Sequence, residues 1–132
     1  MLQIDHNSRK PIYEQICEQT MMLISSGLLV PDEKMPSVRL LSVTLNVNPN
    51  TIQRAYTDLT NLGVLYSIGG KGCFVANDAK QIILKKAETE LSQFNAIVEK
   101  MRISGVTAEK LKQEIDKIYS NGGNEKWLKL KI

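Results

Sequence analysis

From Ile12 onward the apolar positions Ile12, Tyr13, Ile16, Cys17, Leu23 and Ile24 fall on one face of a 3.6-residue repeat. They predict a first helix with Pro11 in its opening turn, stopped by Ser25-Ser26-Gly27. Pro31 and Pro36 break the stretch from Leu28 to Met35, which reads as a turn with a short extended piece. Ser37 is a natural N-cap for a brief second helix whose buried side carries Val38, Leu41 and Leu45. After Asn46-Val47-Asn48, Asn48 as N-cap and Pro49 at the first helical position open a third helix running to about Leu62 and closed by Gly63. The surface of this helix is divided. Ile52, Ala55, Leu59 and Leu62 form an apolar stripe, whereas Asn50, Gln53, Arg54, Thr57 and Asn61 share the opposite or flanking face and can hydrogen-bond outward.

Val64 to Ile68 and Cys73 to Val75 are β-prone and flank Gly69-Gly70-Lys71-Gly72, which predicts a hairpin with a glycine-rich tip. A long helical pattern starts at Asn77-Asp78, with Leu84, Ala87, Leu91, Phe94, Val98 and Met101 in the 3-4-3-4-3 spacing of a coiled-coil seam. Gly105 ends it. Thr107 caps a final helix carrying Ala108, Leu111, Ile115 and Ile118, which stops at Ser120-Asn121-Gly122-Gly123. The tail Trp127 to Ile132 alternates in polarity and fits either a loose strand or a disordered end.

At 132 residues the chain holds one compact domain plus an extension. No purely apolar run, Met21 to Ile24 included, exceeds four residues, so no segment is expected to span a bilayer. The opening residues Met1 to His6 lack a basic region followed by an apolar one, and a cytoplasmic location is expected. A single histidine, His6, and two cysteines without paired spacing, Cys17 and Cys73, leave too few ligands for a structural metal. Cys73 near the hairpin reads as an inert thiol, with no resolving cysteine evident, and no cofactor is expected. Net charge is only +3, but it is unevenly placed. Residues 1–33 set Arg9 and Lys10 against Asp5, Glu14, Glu18, Asp32 and Glu33, a local net of −3. Residues 34–75 set Lys34, Arg39, Arg54 and Lys71 against Asp58 alone, a local net of +3. The basic stretch coincides with the second helix, the third helix and the hairpin. No histidine-based triad, carboxylate pair in a glycine frame or phosphate loop is present, so an enzyme is the least favoured class.

Two short helices joined by a tight polar turn and followed at once by a hairpin are the order of a winged helix-turn-helix. The major groove of B-form DNA admits one helix, whose N-terminus favours phosphates while its first turns reach base edges. Asn50 and Gln53 suit adenine edges, Arg54 a guanine or a phosphate, and Thr51 a phosphate oxygen. Arg39 beside the start of the second helix, and Lys71 on the flexible hairpin, suit phosphates.

Four blocks in order carry a family resemblance. They are Pro11 to Ile16, Met35-Pro36-Ser37-Val38-Arg39, Val47-Asn48-Pro49-Asn50-Thr51-Ile52-Gln53-Arg54-Ala55-Tyr56 and Gly70-Lys71-Gly72-Cys73-Phe74-Val75. Together they resemble the DNA-binding domain of the GntR family of bacterial transcription regulators, and the short C-terminal part is similar to the YtrA subfamily. The resemblance implies a mainly α fold with a small β-hairpin: a winged helix-turn-helix over residues 1–76 and a two-helix dimerisation segment with a tail over 77–132. It also implies a homodimeric regulator, usually a repressor, that binds double-stranded operator DNA. Asn48, Tyr56 and Gly70 from the matched blocks join Arg39, Asn50, Thr51, Gln53, Arg54 and Lys71 as candidate DNA contacts. Leu84, Ala87, Leu91, Phe94, Val98 and Met101, with Leu111 and Ile115, form the candidate dimer interface.

The sequence departs from the family pattern in places. Pro49 stands where many members carry an arginine, and Ile68 and Gly69 stand where arginines often precede the hairpin glycine, so the hairpin brings less phosphate attraction. Asp32 replaces a common loop glycine, a change a left-handed turn tolerates, and Cys73 replaces a common threonine. The rival reading is a winged helix used for protein assembly without sequence-specific DNA binding, which an apolar patch on the third helix would favour. The two helices after Val75 are too few to enclose a drug-sized cavity, so any small-molecule effector is expected between subunits or at the junction of the two parts.

Overall fold

The computed structural model describes residues 2–121, so the tail from Trp127 to Ile132 lies outside the described residues. Five helices and one hairpin follow each other as α1 (Ile12–Ser25), α2 (Val38–Leu45), α3 (Pro49–Asn61), β1 (Leu65–Ile68), β2 (Gly72–Val75), α4 (Ala79–Ile103) and α5 (Ala108–Asn121). Local chemistry sets most of the boundaries. Ser37 caps α2 by accepting the Leu40 N–H at 3.0 Å, and Thr107 caps α5 by accepting the Lys110 N–H at 3.2 Å. Pro11 occupies the N-cap position of α1, one residue ahead of its first turn. Gly63 and Gly105 take positive φ angles just beyond α3 and α4, where a side chain would strain the reversal of the chain.

Helix α3 is the centre of the packing, with α1, α2 and β1 laid against it. Its Ile52, Ala55, Tyr56 and Leu59 join Ile16, Leu23 and Ile24 of α1, Leu41 of α2, and Val64, Leu65 and Val75 around the hairpin in one core. Fully burying a side chain of this size stabilises the fold by about 1.5–3 kcal/mol, so these elements hold α3 in one orientation. The core continues beyond residue 76: Ala79 is buried, and Ile82 and Ile83 of α4 pack against it.

Two features of α1 are absent from its apolar pattern. Gln15 and Gln19 are buried, and their carboxamides clip the N-terminal segment onto the helix. Gln15 accepts the Asp5 N–H at 2.9 Å and donates to the carbonyls of Asp5 and Lys10, while Gln19 accepts the Gln3 N–H at 2.8 Å and donates to the Gln3 carbonyl. Every polar atom taken from water thereby keeps a partner, which makes a buried carboxamide tolerable.

The hairpin is antiparallel, with Leu65 opposite Val75, Tyr66 opposite Phe74, Ser67 opposite Cys73 and Ile68 opposite Gly72. The extended piece before α2 adds to it. Asp32 donates its N–H to the Val75 carbonyl at 2.8 Å, Val75 donates to Glu33, and Met35 donates to Cys73 at 2.8 Å, so the segment pairs with β2 from its other side. Asp32 adopts φ 66°, as its place in the loop requires, and its carboxylate accepts the Tyr66 hydroxyl at 2.8 Å. With the Tyr66 and Phe74 rings stacked at 5.5 Å, the hairpin is fastened to the body as a wing.

Helix α4 leaves the core after two turns. Leu84, Leu91 and Phe94 remain 61%, 53% and 45% exposed, Ala87 and Met101 are also exposed, and Val98 is half-buried. Helix α5 packs extensively on no other described element; its Ile115 is exposed and its Leu111 half-buried. The two stripes are thus not closed on each other within the chain.

Candidate nucleic-acid interface

The exposed face of α3 begins at its cap. The Asn48 side-chain oxygen accepts the Asn50 N–H at 2.8 Å, so this residue shapes the helix start with its carbonyl and leaves its amide nitrogen outward. Pro49 fixes the first turn without needing a donor. Asn50, Gln53, Arg54, Thr57 and Asn61 are all exposed and share one side of the helix, while Thr51 is half-buried. Gln53 is held along the helix axis, its amide donating to the Thr57 hydroxyl at 3.2 Å.

One candidate is not on that exposed face. Tyr56 is a core residue: only 4% of it is exposed, and its hydroxyl donates to the Pro36 carbonyl at 2.7 Å. Burial, reinforced by the nearby Cys73, pushes its phenol well above the ordinary range, so it remains a neutral donor. Tyr56 is largely buried and positions the start of α2 against α3 through this bond. The α3 core face is wider than the stripe of Ile52, Ala55 and Leu59 because α2 packs on the neighbouring side, and that contact takes Tyr56 inward. Leu62 lies past the helix end and is 40% exposed, so the buried stripe stops at Leu59. Arg54 is exposed, but its guanidinium carbon lies 3.7 Å from the centre of the Tyr13 ring, turning it toward α1. At an exposed site such stacking stabilises by about 0.5–1 kcal/mol, little enough for a phosphate to displace.

Between α3, the segment leading into α2, and the wing lies a groove of about 550 Å³. Gln53 and Thr57 line it from α3, Lys34 and Ser37 from the segment before α2, and Gly70 and Lys71 from the wing tip. The Lys71 N–H donates to the Ile68 carbonyl at 2.9 Å, which closes the tip and leaves the Lys71 side chain exposed. The groove therefore brings together Gln53, Gly70 and Lys71 of the candidate contacts, with the largely buried Tyr56 in its wall. Arg39, exposed on the first turn of α2, and Asn48, Asn50 and Thr51 at the start of α3 lie outside it. Lys34 was not among the candidates. Its position in the basic stretch was visible, but only the pairing of its segment with β2 carries it to the wing.

Cys17 and Cys73 are both free and half-buried. Cys17 donates to the Ala55 carbonyl, and burial together with Asp58 pushes its thiol up to about 11, which lowers its reactivity. No helix among the described residues is long and apolar enough to cross a membrane.

The geometry agrees with the relatives of the chain. The pattern described as bacterial regulatory proteins, gntR family, matches residues 12–75. The HTH-type transcriptional repressor YtrA of Bacillus subtilis (strain 168) is 35% identical over 92% of this chain and 94% of its own length. Among solved structures, a GntR family transcriptional regulator from Listeria monocytogenes superposes with a TM-score of 0.66 at 31% identity, covering 86% of this chain and 98% of that one. AraR(DBD) in complex with operator ORX1 superposes with a TM-score of 0.52 at 33% identity, over 58% of this chain and 95% of that one. A winged helix-turn-helix with an exposed polar third helix, matched along nearly its whole length by such a relative, belongs to the GntR family of DNA-binding transcription regulators and is not an enzyme.

Proposed function

We propose that this chain is a homodimeric repressor acting in the cytoplasm on a palindromic operator. The observation that carries the reading is the continuous polar face of α3, from Asn50 to Asn61, standing beside a groove that holds two lysines and the wing glycines. In this reading α3 enters the major groove, where Asn50 and Gln53 read base edges, and the wing tip lies along the adjacent backbone. Arg39, Thr51, Lys71 and the outward amide of Asn48 hold phosphates, Gly70 permits close approach of the wing, and Arg54 leaves Tyr13 for a phosphate or a guanine.

Dimerisation through the α4 and α5 stripes is supported by their exposure, since Leu84, Leu91, Phe94, Met101 and Ile115 face solvent in the single chain. Two related subunits then present two equivalent α3 helices to one side of the duplex. Repression is supported by the YtrA relative, and operator binding by AraR. A protein-assembly role would require an apolar outward face on α3, which offers only Leu62 at its end.

Selecting bound fragments from a random DNA pool tests the proposal. Two inverted half-sites are expected, their centres separated by about 34 Å or a small multiple of it. Recovery of a single asymmetric site occupied by one subunit would contradict it.

A further inference from the structure

We propose that Lys34 is a phosphate-contacting residue of this interface, and that with Lys71 it clamps the DNA strand running between α3 and the wing. This deepens the DNA-binding reading above and rests on it. When a helix occupies the major groove and a wing reaches the adjacent minor groove, the sugar-phosphate strand dividing the two grooves must pass between those elements. In this fold that path is the groove of about 550 Å³ bounded by Gln53 and Thr57 on one side and by the wing tip on the other.

The hairpin brings only one cation to that path, because Lys71 is its sole charged residue between Leu65 and Val75. Lys34 supplies a second from outside the hairpin. The pairing of Val75 with Glu33 and of Met35 with Cys73 fixes its backbone beside β2. Its stem crosses Gly72, where φ is 117° and where a Cβ would lie 3.0 Å from the Lys34 Cε. Gly72 thus leaves the space through which the Lys34 ammonium reaches the groove. The side chain is exposed and makes no ion pair among the described residues, so its charge is available to a phosphate. Two lysines on one strand restore part of the attraction lost where arginines are absent at Ile68 and Gly69.

The test compares full-length wild type with Lys34→Gln, Lys34→Arg and Lys71→Gln by fluorescence anisotropy. Each is titrated against the selected operator and a random duplex from 50 to 200 mM salt. Lys34→Gln keeps most of the stem and removes the charge at an exposed position, so circular dichroism should match wild type. It is expected to weaken both duplexes alike and to lower the salt slope by about 0.9 per bound subunit. The advantage of wild type over the variant should then shrink about 3.5-fold per subunit across that salt range. Lys34→Arg should restore the slope. An unchanged slope in Lys34→Gln beside a lowered slope in Lys71→Gln would overturn the role of Lys34 while leaving the interface intact. Failure of wild type to bind either duplex would overturn both the clamp and the DNA-binding reading.

Discussion

Replacing Leu91 by Ala tests whether the α4 stripe joins two subunits. Leu91 is 53% exposed in the single chain, so a partner helix that covers it removes about half of the surface of a leucine from water. Full burial of such a side chain is worth about 1.5–3 kcal/mol, giving about 0.8–1.6 kcal/mol per subunit. Symmetry doubles the loss, so Leu91→Ala should weaken the dimer by about 1.6–3.2 kcal/mol, or roughly 15- to 200-fold in Kd. Leu91→Asp should do more, because closing the seam would then bury an unpaired carboxylate. The fold of each subunit should barely change, since the core ends near Ile83 and Leu91 contributes nothing to it. Sedimentation equilibrium over nanomolar to micromolar concentrations measures the dissociation constant, and a thermal melt of the same samples reports the subunit. A dimer of unchanged affinity in Leu91→Asp would refute the assignment of this face. Loss of the subunit fold together with the dimer would show instead that Leu91 belongs to the protomer core.

Tyr56→Phe removes the donor to the Pro36 carbonyl without emptying the core, so it should destabilise the fold by about 1–2 kcal/mol while leaving the ratio of operator to random-DNA affinity unchanged. A urea melt and a binding titration check the two halves of that statement, and a changed ratio with an unchanged melt would return Tyr56 to the contact surface. Cys17 should alkylate about a hundredfold more slowly at pH 8 than a thiol of ordinary pKa 9.0, because a pKa of about 11 cuts its thiolate fraction to about a thousandth. The same shift sets a direction for stability. The unfolded thiol ionises first as pH rises, so the contribution is intact below about pH 9 and is lost as pH climbs toward about 11. Rapid labelling of Cys17 in the folded protein would contradict the burial assigned to it.

What the sequence disclosed was mainly local chemistry. Ser37, Asn48 and Thr107 read as caps because a cap needs only its own side chain and the next turn, and the structure uses all three. The glycine hairpin is legible for the same reason, whereas the left-handed Asp32 is legible only through the resemblance, which has a common glycine at that place. Contacts between distant segments were not. Gln15 and Gln19 look like surface residues until the N-terminal segment is laid over them, and Lys34 looks like a loop lysine until its segment pairs with β2. Tyr56 sits one residue beyond Ala55, at the margin of the α3 stripe, and only the packing of α2 decides that it turns inward. Arg54 borders the apolar stripe, where periodicity leaves it open between a DNA contact and a pairing with Asp58 and carries no sign of the Tyr13 ring beneath it.

If α3 reads bases through its exposed polar face, Gln53 is the residue whose loss should show it. Its side chain is exposed, it lines the groove, and among the described residues its side chain hydrogen-bonds the Thr57 hydroxyl, so Gln53→Ala should leave the fold unchanged. Affinities of wild type and Gln53→Ala are measured for the selected operator and for a random duplex at one fixed salt concentration. A loss of about 1–3 kcal/mol per half-site on the operator is expected, with little change on random DNA, so that the specificity ratio collapses. Equal weakening on both duplexes would contradict it, because Gln53 would then be holding the backbone and the polar face of α3 would not be reading bases through that residue.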